Sequence, residues 1–188
     1  MFNKQIGRNV EVYVDDMLVK GRKEESHLDD LKETFDTLRQ YSTKLNKTKC
    51  AFGVSLGKFL SFMVSQRGIE ANPKKVKAIL EMSSPKMVKE LQSLTGRIAA
   101  LNRFVSRATD KCLPSFKTLK QVYIWTDECE AAFQELKCYL SNPPLLSPSK
   151  EGEDMFLYLA VSTTAMSVAL IREEQRVQHP VYYVSQAF

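Results

Sequence analysis

Apolar positions in the N-terminal third of the chain fall into short runs whose period changes from one segment to the next. Residues 10–14 and 17–19 are apolar runs around Asp15 and Asp16, which predicts two short strands joined at the aspartates. Residues 26–41 place apolar side chains at steps of three and four, which predicts a helix. Its expected N-cap is Ser26, and its expected buried face consists of Leu28, Leu31, Phe35 and Leu38.

Glycines interrupt the next segment, and a helical period replaces the strand pattern after residue 71. Runs between residues 45 and 69 predict a strand and then a hairpin centred on KFLSFMVSQRGI (58–69). Asn72 and Pro73 predict the N-cap and first position of one helix, and Ser84 and Pro85 repeat this signal before a longer one. The expected apolar stripe of the longer helix is Val88, Leu91, Leu94, Ile98, Leu101 and Val105.

The C-terminal part combines further helices with a second group of strands. Helices are predicted over residues 113–120 and 125–142, the latter capped by Thr126 and with Phe133, Leu136 and Leu140 on its core face. A loop rich in proline and serine spans residues 143–154, and strand-like runs cover 155–162, 167–173 and 180–188. This order of elements predicts an α+β fold.

Composition narrows the class of protein. Hydrophobic residues make up 44% of the 188 positions and charged residues 26%, which is typical of a folded chain. No apolar run approaches the roughly 18 residues that span a bilayer, and the N-terminus lacks a signal-peptide pattern. We therefore expect an intracellular protein, cytoplasmic or nuclear, without a membrane partner. The four cysteines are irregularly spaced without a CxxC pair, which argues against a zinc site and favours reduced thiols.

The positive charge of the chain is concentrated in one segment. The net charge is +5, yet residues 72–120 carry eleven basic and three acidic residues, a balance of +8. Such a segment suits a polyanionic partner. A solvated lysine-rich helical face explains the same pattern, and composition alone leaves both explanations open.

Asp15 and Asp16 also allow two explanations. Aspartate is common in turns because its side chain bonds to nearby backbone N–H groups. Two carboxylates fixed at the edge of a rigid hairpin can instead bind Mg²⁺, which takes one or two carboxylates together with substrate phosphates. Two such ions stabilise the attacking and leaving oxygens in phosphoryl transfer.

The ordered motifs resemble a known family. YVDD (13–16) between two strands resembles the catalytic hairpin of reverse transcriptases. Three further segments follow in the order that the family has: KCAFGVSLGKFLSFMVSQRGIEANPKKVKAI, VKELQSLTGRIAALNRF and WTDECEAAFQELKCYL. Together they resemble the palm end, primer-grip hairpin, thumb and connection of a gypsy-type LTR retrotransposon polyprotein, most similar to plant elements.

The resemblance implies a role for each matched position. Asp15 and Asp16 would be catalytic residues that bind Mg²⁺ or Mn²⁺ in the complete polymerase. The remaining residues would contact a primer–template, an RNA–DNA or DNA duplex: Tyr13 and Val14 at the primer terminus, Phe59, Leu60, Ser61 and Gly68 in the primer grip, and Lys74, Lys75, Arg97 and Arg103 among the basic residues of the thumb.

The chain departs from the family pattern at several points. Ser61 stands where the family usually has glycine, which would strain the hairpin if that position needs positive φ. The segment after residue 154 resembles the first hairpin of a ribonuclease H domain, but Ala160 occupies the position of a metal-binding aspartate, so we expect no RNase H activity. A third palm carboxylate and the fingers have no counterpart in this sequence, so we expect a fragment that needs the upstream polymerase segments.

The expected architecture has three parts. Residues 1–70 would form a partial palm, residues 71–122 a helical thumb, and residues 123–188 a connection helix with an incomplete RNase H-like sheet. We expect the chain to derive from an RNA-directed DNA polymerase and to be inactive alone. The alternative is a non-catalytic nucleic-acid-binding remnant.

Overall fold

A computed structural model of the chain describes residues 1–21, 24–109 and 125–188, and its mixture of helices and strands confirms the α+β class. The chain divides into two compact units, residues 1–64 and 65–188. The division into a palm, a thumb and an RNase H-like part stays a prediction. Cys112 and the helix predicted over residues 113–120 lie outside the described residues.

The first unit is built on a tight β-hairpin packed against one helix. β1 (Val10–Tyr13) and β2 (Asp16–Val19) are antiparallel, with Val10 opposite Val19 and Tyr13 opposite Asp16. Helix α1 (Glu24–Gln40) lies against β2. A buried cluster joins them, consisting of Phe2, Val10 and Leu38 with Met17, Val19 and Phe35 around it. β3 (Leu56–Phe59) and β4 (Phe62–Ser65) form the next hairpin.

Two sequence predictions for α1 are wrong. The helix is already formed at Glu24, so Ser26 lies in its first turn and is not the N-cap. Leu28 is 75% exposed, because α1 meets the hairpin through its second half, where Thr34 and Leu38 are buried. The Thr34 hydroxyl donates a hydrogen bond to the Asp30 carbonyl at 2.8 Å, which lets a polar residue occupy the buried stripe.

The second unit contains the helices of the basic segment. The sheet that starts with β3 and β4 continues to β5 (Gly68–Glu70), in the order β3-β4-β5. Helix α2 (Pro73–Leu80) begins as predicted, because the Asn72 side chain accepts a hydrogen bond from the Lys74 amide at 3.0 Å. Helix α3 (Val88–Ala99) is followed by a 3₁₀ turn, Asn102–Phe104.

Helix α3 starts later than the sequence predicts. Met87 holds its N-cap position without a side-chain hydrogen bond, so the Ser84–Pro85 start is wrong. The Ser84 hydroxyl is hydrogen-bonded to Glu130 instead. Most of the predicted stripe is buried, but Val88 is exposed, and Leu101 and Val105 are buried beyond the end of the helix.

Helix α4 (Asp127–Ser141) and three long strands complete the second unit. Thr126 caps α4 by accepting a hydrogen bond from the Cys129 amide, and Phe133, Leu136 and Leu140 are buried, as predicted. β6 (Met155–Val161), β7 (Ala165–Glu174) and β8 (Val177–Ala187) form an antiparallel sheet in that order. β8 begins three residues earlier than predicted because Gln175 and Arg176 form a tight turn with positive φ at both residues. None of the helices that the structure describes has the length and apolar character needed to cross a membrane.

Candidate functional site

The two aspartates occupy different positions in the β1–β2 hairpin. Tyr13 pairs with Asp16, so Val14 and Asp15 are the two loop residues and Asp16 is the first residue of β2. Paired residues share one face of a sheet, so Asp16 lies on the same face as Tyr13. The opposite face carries Val10, which is buried against α1. The hairpin therefore holds Asp16 away from the core of its unit.

The loop of this hairpin is strained. Val14 has a φ of 53° and is 82% exposed. A β-branched residue seldom adopts positive φ, and such conformations cluster at functional sites. Because neighbouring pairs in β1 and β2 fix both ends of the loop, the hairpin imposes this conformation on Val14.

The turn between β3 and β4 faces the aspartate hairpin across an open cleft. Leu60 and Ser61 form this turn with φ values of 50° and 70°, the signs of a type I′ hairpin turn. The cleft has a volume of about 580 Å³ and is lined by Tyr13, Val14, Asp15, Asp16, Leu60 and Ser61. β2 contacts β3, and the shared cleft places both turns at the same end of the first unit. Six residues selected from the sequence motifs thus line one cavity.

The oxygen ligands in this cleft could form part of the coordination sphere of a hard divalent cation. Both carboxylates are exposed, and neither is hydrogen-bonded or ion-paired to a residue that the structure describes. Oxygen ligands of this kind match Mg²⁺, which commonly keeps waters and takes one or two carboxylates. Within residues 1–21, 24–109 and 125–188, no group of three or more potential metal ligands comes together. Asp15 and Asp16 could therefore supply part of a coordination sphere.

Phe59 and Gly68 are the two ends of the predicted primer-grip segment, and they differ in their surroundings. Phe59 is the last residue of β3, directly before the Leu60–Ser61 turn. Gly68 is buried with a φ of 138°, and a Cβ built on it would lie 2.0 Å from the carbonyl oxygen of Leu146. The adjacent Ile69 exchanges two backbone hydrogen bonds with Leu146, at 2.8 and 3.0 Å. The described contacts of Gly68, the close approach to Leu146 and a hydrogen bond from the Ser65 hydroxyl to its carbonyl at 3.5 Å, thus lie within the second unit.

The four predicted phosphate-contacting residues lie in the second unit. Lys74 and Lys75 occupy the first turn of α2, which contains no acidic residue. Lys74 is exposed and Lys75 is half-buried. Two cations beside the positive end of a helix dipole create a locally strong positive potential.

Arg97 and Arg103 are engaged with other parts of the unit. The Arg97 guanidinium donates a hydrogen bond to the Ala78 carbonyl and so ties α3 to α2. The Arg103 guanidinium lies 5.1 Å from the centre of the Tyr182 ring, a cation–π distance. Sequence reasoning did not identify Tyr182 as a partner, because the pair joins the 3₁₀ turn to β8 across a long sequence separation.

Comparisons with known protein families agree with the order of the elements. The reverse transcriptase (RNA-dependent DNA polymerase) family matches residues 1–89, and the RNase H-like domain found in reverse transcriptase matches residues 125–188. The retrovirus-related Pol polyprotein from transposon 412 of Drosophila melanogaster is 30% identical over 179 residues, which are 94% of this chain and 14% of that polyprotein. The transposon Tf2-3 polyprotein of Schizosaccharomyces pombe is 26% identical over 180 residues, with the same two shares. The chain thus spans about one seventh of the length of these relatives.

Solved structures share the fold. The foamy viral protease-reverse transcriptase in complex with dsDNA has a TM-score of 0.82 at 23% identity, over 100% of this chain and 40% of that chain. The same viral protein in complex with an RNA/DNA hybrid also has a TM-score of 0.82 at 23% identity, over 95% of this chain and 25% of that chain. Two family matches, similarity to retrotransposon polyproteins over 94% of this chain and a shared fold agree with one another. The chain therefore belongs to the reverse transcriptase and RNase H-like region of retrotransposon Pol polyproteins.

Proposed function

We propose that this chain supplies the metal-binding hairpin, the primer grip and the thumb of an RNA-directed DNA polymerase from a gypsy-type element of plant type. The observation that carries the proposal is the cleft in which the Asp15 and Asp16 carboxylates face the Leu60–Ser61 turn. Residues 71–122 act as the thumb in this proposal, and residues 123–188 as the connection and RNase H-like part. The protein acts inside the cell, in the cytoplasm or the nucleus.

Asp15 and Asp16 are the proposed catalytic residues and the proposed ligands of Mg²⁺ or Mn²⁺. When bound, the ions would stabilise the charge that develops on the attacking and leaving oxygens of nucleotidyl transfer. The hairpin contributes rigidity, because its backbone pairing fixes Asp16 and the loop residue Asp15 beside it. Upstream polymerase segments would supply the remaining carboxylate and the nucleotide pocket.

The residues around the aspartates position the primer in this proposal. Tyr13 and Val14 are 62% and 82% exposed at the mouth of the cleft, where flat or apolar side chains can pack against the terminal nucleotide. Leu60 and Ser61 line the other side of the cleft, Phe59 directly precedes them at the end of β3, and Gly68 begins β5. Orienting the primer hydroxyl in this way reduces the entropic part of the barrier.

The basic residues of the second unit would contact the duplex backbone in this proposal. Lys74 and Lys75 at the start of α2 are suited to phosphate oxygens, and Arg97 and Arg103 are the further proposed contacts. The foamy viral relatives of the same fold were solved with dsDNA and with an RNA/DNA hybrid, which supports a duplex as the partner. Counterion release would make such binding depend steeply on salt.

Paramagnetic Mn²⁺ tests the proposed metal site directly. Titrating the ¹⁵N-labelled chain with Mn²⁺ should broaden the amide signals of residues 13–16 and 60–61 first. Asp15→Asn and Asp16→Asn should each remove most of this broadening. Asp29→Asn is the matched control, because Asp29 is also exposed and also precedes another aspartate, Asp30. Broadening that persists in both hairpin variants would exclude the site.

A primer-extension assay tests the expected inactivity of the isolated chain. With only two carboxylates in the cleft, we expect no nucleotide addition with Mg²⁺ or Mn²⁺. Extension by the purified chain that Asp15→Asn abolishes would contradict this expectation, and it would show that two protein ligands suffice.

A non-catalytic nucleic-acid-binding module is the alternative function, and the cationic start of α2 favours it. Fluorescence anisotropy with an RNA–DNA hybrid should give a log–log salt slope that falls by about 1 to 2 in the Lys74→Gln/Lys75→Gln variant. Lys32→Gln, an exposed lysine of α1, serves as the control. Duplex binding without metal-dependent broadening at Asp15 and Asp16 would favour the alternative.

The RNase H-like part is proposed to be structural. Ala160 lies in β6 at the position where the family has a metal-binding aspartate, and its methyl group cannot bind Mg²⁺. RNA cleavage by the purified chain on a hybrid substrate would contradict this role.

A further inference from the structure

Helix α4 holds the connection between α2 and α3 by two polar contacts. The Lys137 ammonium donates a hydrogen bond of 2.6 Å to the Met82 carbonyl, and the Glu130 carboxylate accepts one from the Ser84 hydroxyl. Glu130 and Lys137 lie about two helical turns apart in sequence, which places them on the same face of α4. Both side chains therefore contact residues 81–87, which connect α2 to α3.

The surroundings of these two charged side chains fix their positions. Lys137 is half-buried, and its Nζ also lies 4.5 Å from the centre of the Phe133 ring, a cation–π distance. The Glu130 carboxylate accepts further hydrogen bonds from Trp125 and Gln134, at 2.8 and 2.7 Å. Hydrogen bonds that involve a charged group are shorter and stronger than neutral ones. The charge of Lys137 is thus used inside the second unit.

Helix α2 is short, and the Lys137 contact acts at the end opposite to the proposed phosphate contacts. Met82 lies just beyond the C-terminal end of α2, where its amide donates a hydrogen bond to the Ile79 carbonyl at 3.1 Å. A cation at this end also complements the helix dipole. The eight residues of α2 span about 12 Å. A change in the tilt of α2 therefore displaces Lys74 and Lys75 at its other end.

The apolar contacts of α2 stabilise the helix but do not determine its tilt. α2 packs against α4 and α3, and its buried side chains are Val76 and Ile79, one turn apart. Hydrophobic burial is non-directional, so two such side chains leave a short helix free to tilt. The Arg97 hydrogen bond to the Ala78 carbonyl joins α2 to α3. The directional contacts of α4 with the connection supply the constraint that apolar packing lacks.

We propose that Glu130 and Lys137 are positioning residues for duplex binding. They hold α2 at the tilt at which Lys74 and Lys75 reach the phosphates, through the connection of residues 81–87. This inference rests on the proposed function of the two α2 lysines as phosphate contacts. Helix α4 belongs to the region that matches the RNase H-like domain. That region thereby contributes to duplex binding without a contact of its own to the nucleic acid.

Two variants with opposite changes in charge distinguish positioning from a direct effect of charge. Lys137→Met removes a positive charge and Glu130→Ala a negative one, so charge alone would weaken duplex binding in the first variant and strengthen it in the second. Positioning predicts weaker binding in both. Measured by fluorescence anisotropy of the full chain with an RNA–DNA hybrid, each variant should bind about three- to tenfold more weakly than the wild type.

Three further variants serve as controls. Glu128→Ala removes an exposed acid from the same turn of α4 as Glu130, and it should not weaken binding. Lys137→Arg can still donate a hydrogen bond to the Met82 carbonyl and should retain most of the affinity. Ser84→Ala removes the partner of Glu130 without a change in net charge, and it should weaken binding as Glu130→Ala does. It keeps the test valid if Glu130→Ala fails to fold.

A double-mutant cycle separates positioning from a direct phosphate contact or a general loss of stability. The Lys74→Gln/Lys75→Gln variant lacks the lysines that Lys137 would position, so adding Lys137→Met should weaken its binding little further. A direct contact or a general loss of stability would weaken binding equally in both backgrounds. Residual dipolar couplings of the free chain give a second readout, because Lys137→Met and Ser84→Ala should each alter the orientation of α2 relative to α4.

This inference and the proposed function can fail separately. If Lys74→Gln/Lys75→Gln weakens binding but Lys137→Met and Ser84→Ala do not, the inference is wrong and the proposed phosphate contacts stand. Stronger binding by Glu130→Ala, or equal losses with and without the two α2 lysines, would also overturn the inference alone. If Lys74→Gln/Lys75→Gln binds the hybrid as tightly as the wild type, the phosphate contacts are wrong and the inference fails with them.

Discussion

Ser61 adopts a φ of 70°, and Leu60 and Val14 beside the same cleft have φ values of 50° and 53°. Residues other than glycine pay about 1–2 kcal/mol in left-handed conformations. Three such residues line the cavity that contains both aspartates. The strain is thus concentrated where the two turns face each other, and it is balanced by pairing in the flanking strands.

Replacing Ser61 by glycine should stabilise the first unit. Glycine tolerates positive φ, so we expect Ser61→Gly to raise the free energy of unfolding by about 1 kcal/mol, measured by chemical denaturation. Ser55→Gly is the control, since Ser55 lies outside the positive-φ residues and glycine there should be neutral or mildly destabilising. An unchanged or lower stability of Ser61→Gly would mean that the serine hydroxyl contributes more than the strain removes.

Gly68 should not tolerate a side chain. A Cβ at this position would lie 2.0 Å from the Leu146 carbonyl oxygen, so Gly68→Ala must displace the chain around residue 146. We expect a loss of roughly 2–4 kcal/mol in unfolding free energy, measured by denaturant titration of the second unit. Gly57→Ala, where a Cβ would meet nothing within 4 Å, should be nearly neutral; equal effects of both changes would contradict the packing role.

At the residue scale, the sequence identifies the chemistry but not the backbone conformation. The YVDD motif selects Asp15 and Asp16, and the serine at a usual glycine position raises the question of positive φ. Only the structure shows that Ser61 does adopt it and that Val14 and Leu60 do so as well. The close approach of Gly68 to Leu146 depends on a tertiary contact that no local pattern encodes.

The Glu130 carboxylate accepts hydrogen bonds from three side chains and so connects two elements of the second unit. Hydrogen bonds from Ser84, Gln134 and Trp125 hold the pKa of the Glu130 carboxyl at about 2, well below its ordinary 4.5. The Trp125 indole donates at 2.8 Å and Gln134 at 2.7 Å. Because Ser84 precedes α3 and Glu130 lies in the first turn of α4, this carboxylate fastens the start of α4 to the α2–α3 connection.

The lowered pKa makes the second unit sensitive to acid. A carboxyl whose folded pKa lies below its unfolded value stabilises the fold fully above the unfolded pKa and loses this contribution as pH falls from 4.5 towards 2. Glu130→Gln should therefore lower the thermal unfolding midpoint at pH 7. Between pH 4.5 and 2 the midpoint of this variant should fall less steeply than that of the wild type. Glu128→Gln, an exposed acid of the same turn, is the control. Parallel pH profiles for wild type and Glu130→Gln would contradict this linkage.

At the element scale, side-chain caps decide which helix starts the sequence can predict. Asn72 and Thr126 cap α2 and α4 with their own side chains, and both starts are confirmed. Ser84 and Ser26 look equally suitable locally, but Ser84 is recruited by Glu130 and Ser26 lies inside α1. Tertiary partners thus override a local signal that is worth only about 1 kcal/mol.

At the scale of the whole molecule, the two units have separate cores of different size. The first unit relies on the cluster around Phe2, Val10 and Leu38. The second buries many large side chains from three helices, including Ile79, Leu91, Leu94, Phe133, Leu136 and Leu140. The smaller core predicts the lower stability for the first unit.

Denaturation followed by two probes tests this difference. The single tryptophan, Trp125, reports on the second unit by fluorescence, and amide signals of α1 report on the first. We expect the α1 signals to disappear at the lower guanidinium concentration. Leu38→Ala should weaken the first transition by about 2–4 kcal/mol and leave the tryptophan transition unchanged. If the tryptophan and α1 transitions coincide in both the wild type and Leu38→Ala, the chain unfolds as a single cooperative unit.

The family is predictable at this scale because motif order survives where individual residues change. The charge of the basic segment is a weaker indication of a nucleic-acid partner, because some of its basic side chains have partners within the chain. Arg97 donates a hydrogen bond to the Ala78 carbonyl, and Lys77 forms an ion pair with Glu81 at 3.5 Å.

The backbone bridge between Ile69 and Leu146 has a kinetic consequence. It joins the strand before α2 to the loop after α4, so the ends of a long chain segment must meet before these two hydrogen bonds can form. The helices inside that segment can form through local contacts. Closing a loop between residues so far apart in sequence costs more conformational entropy and is therefore slower. Formation of the two hydrogen bonds at Leu146 should therefore be the rate-limiting step when a newly synthesised chain folds this unit.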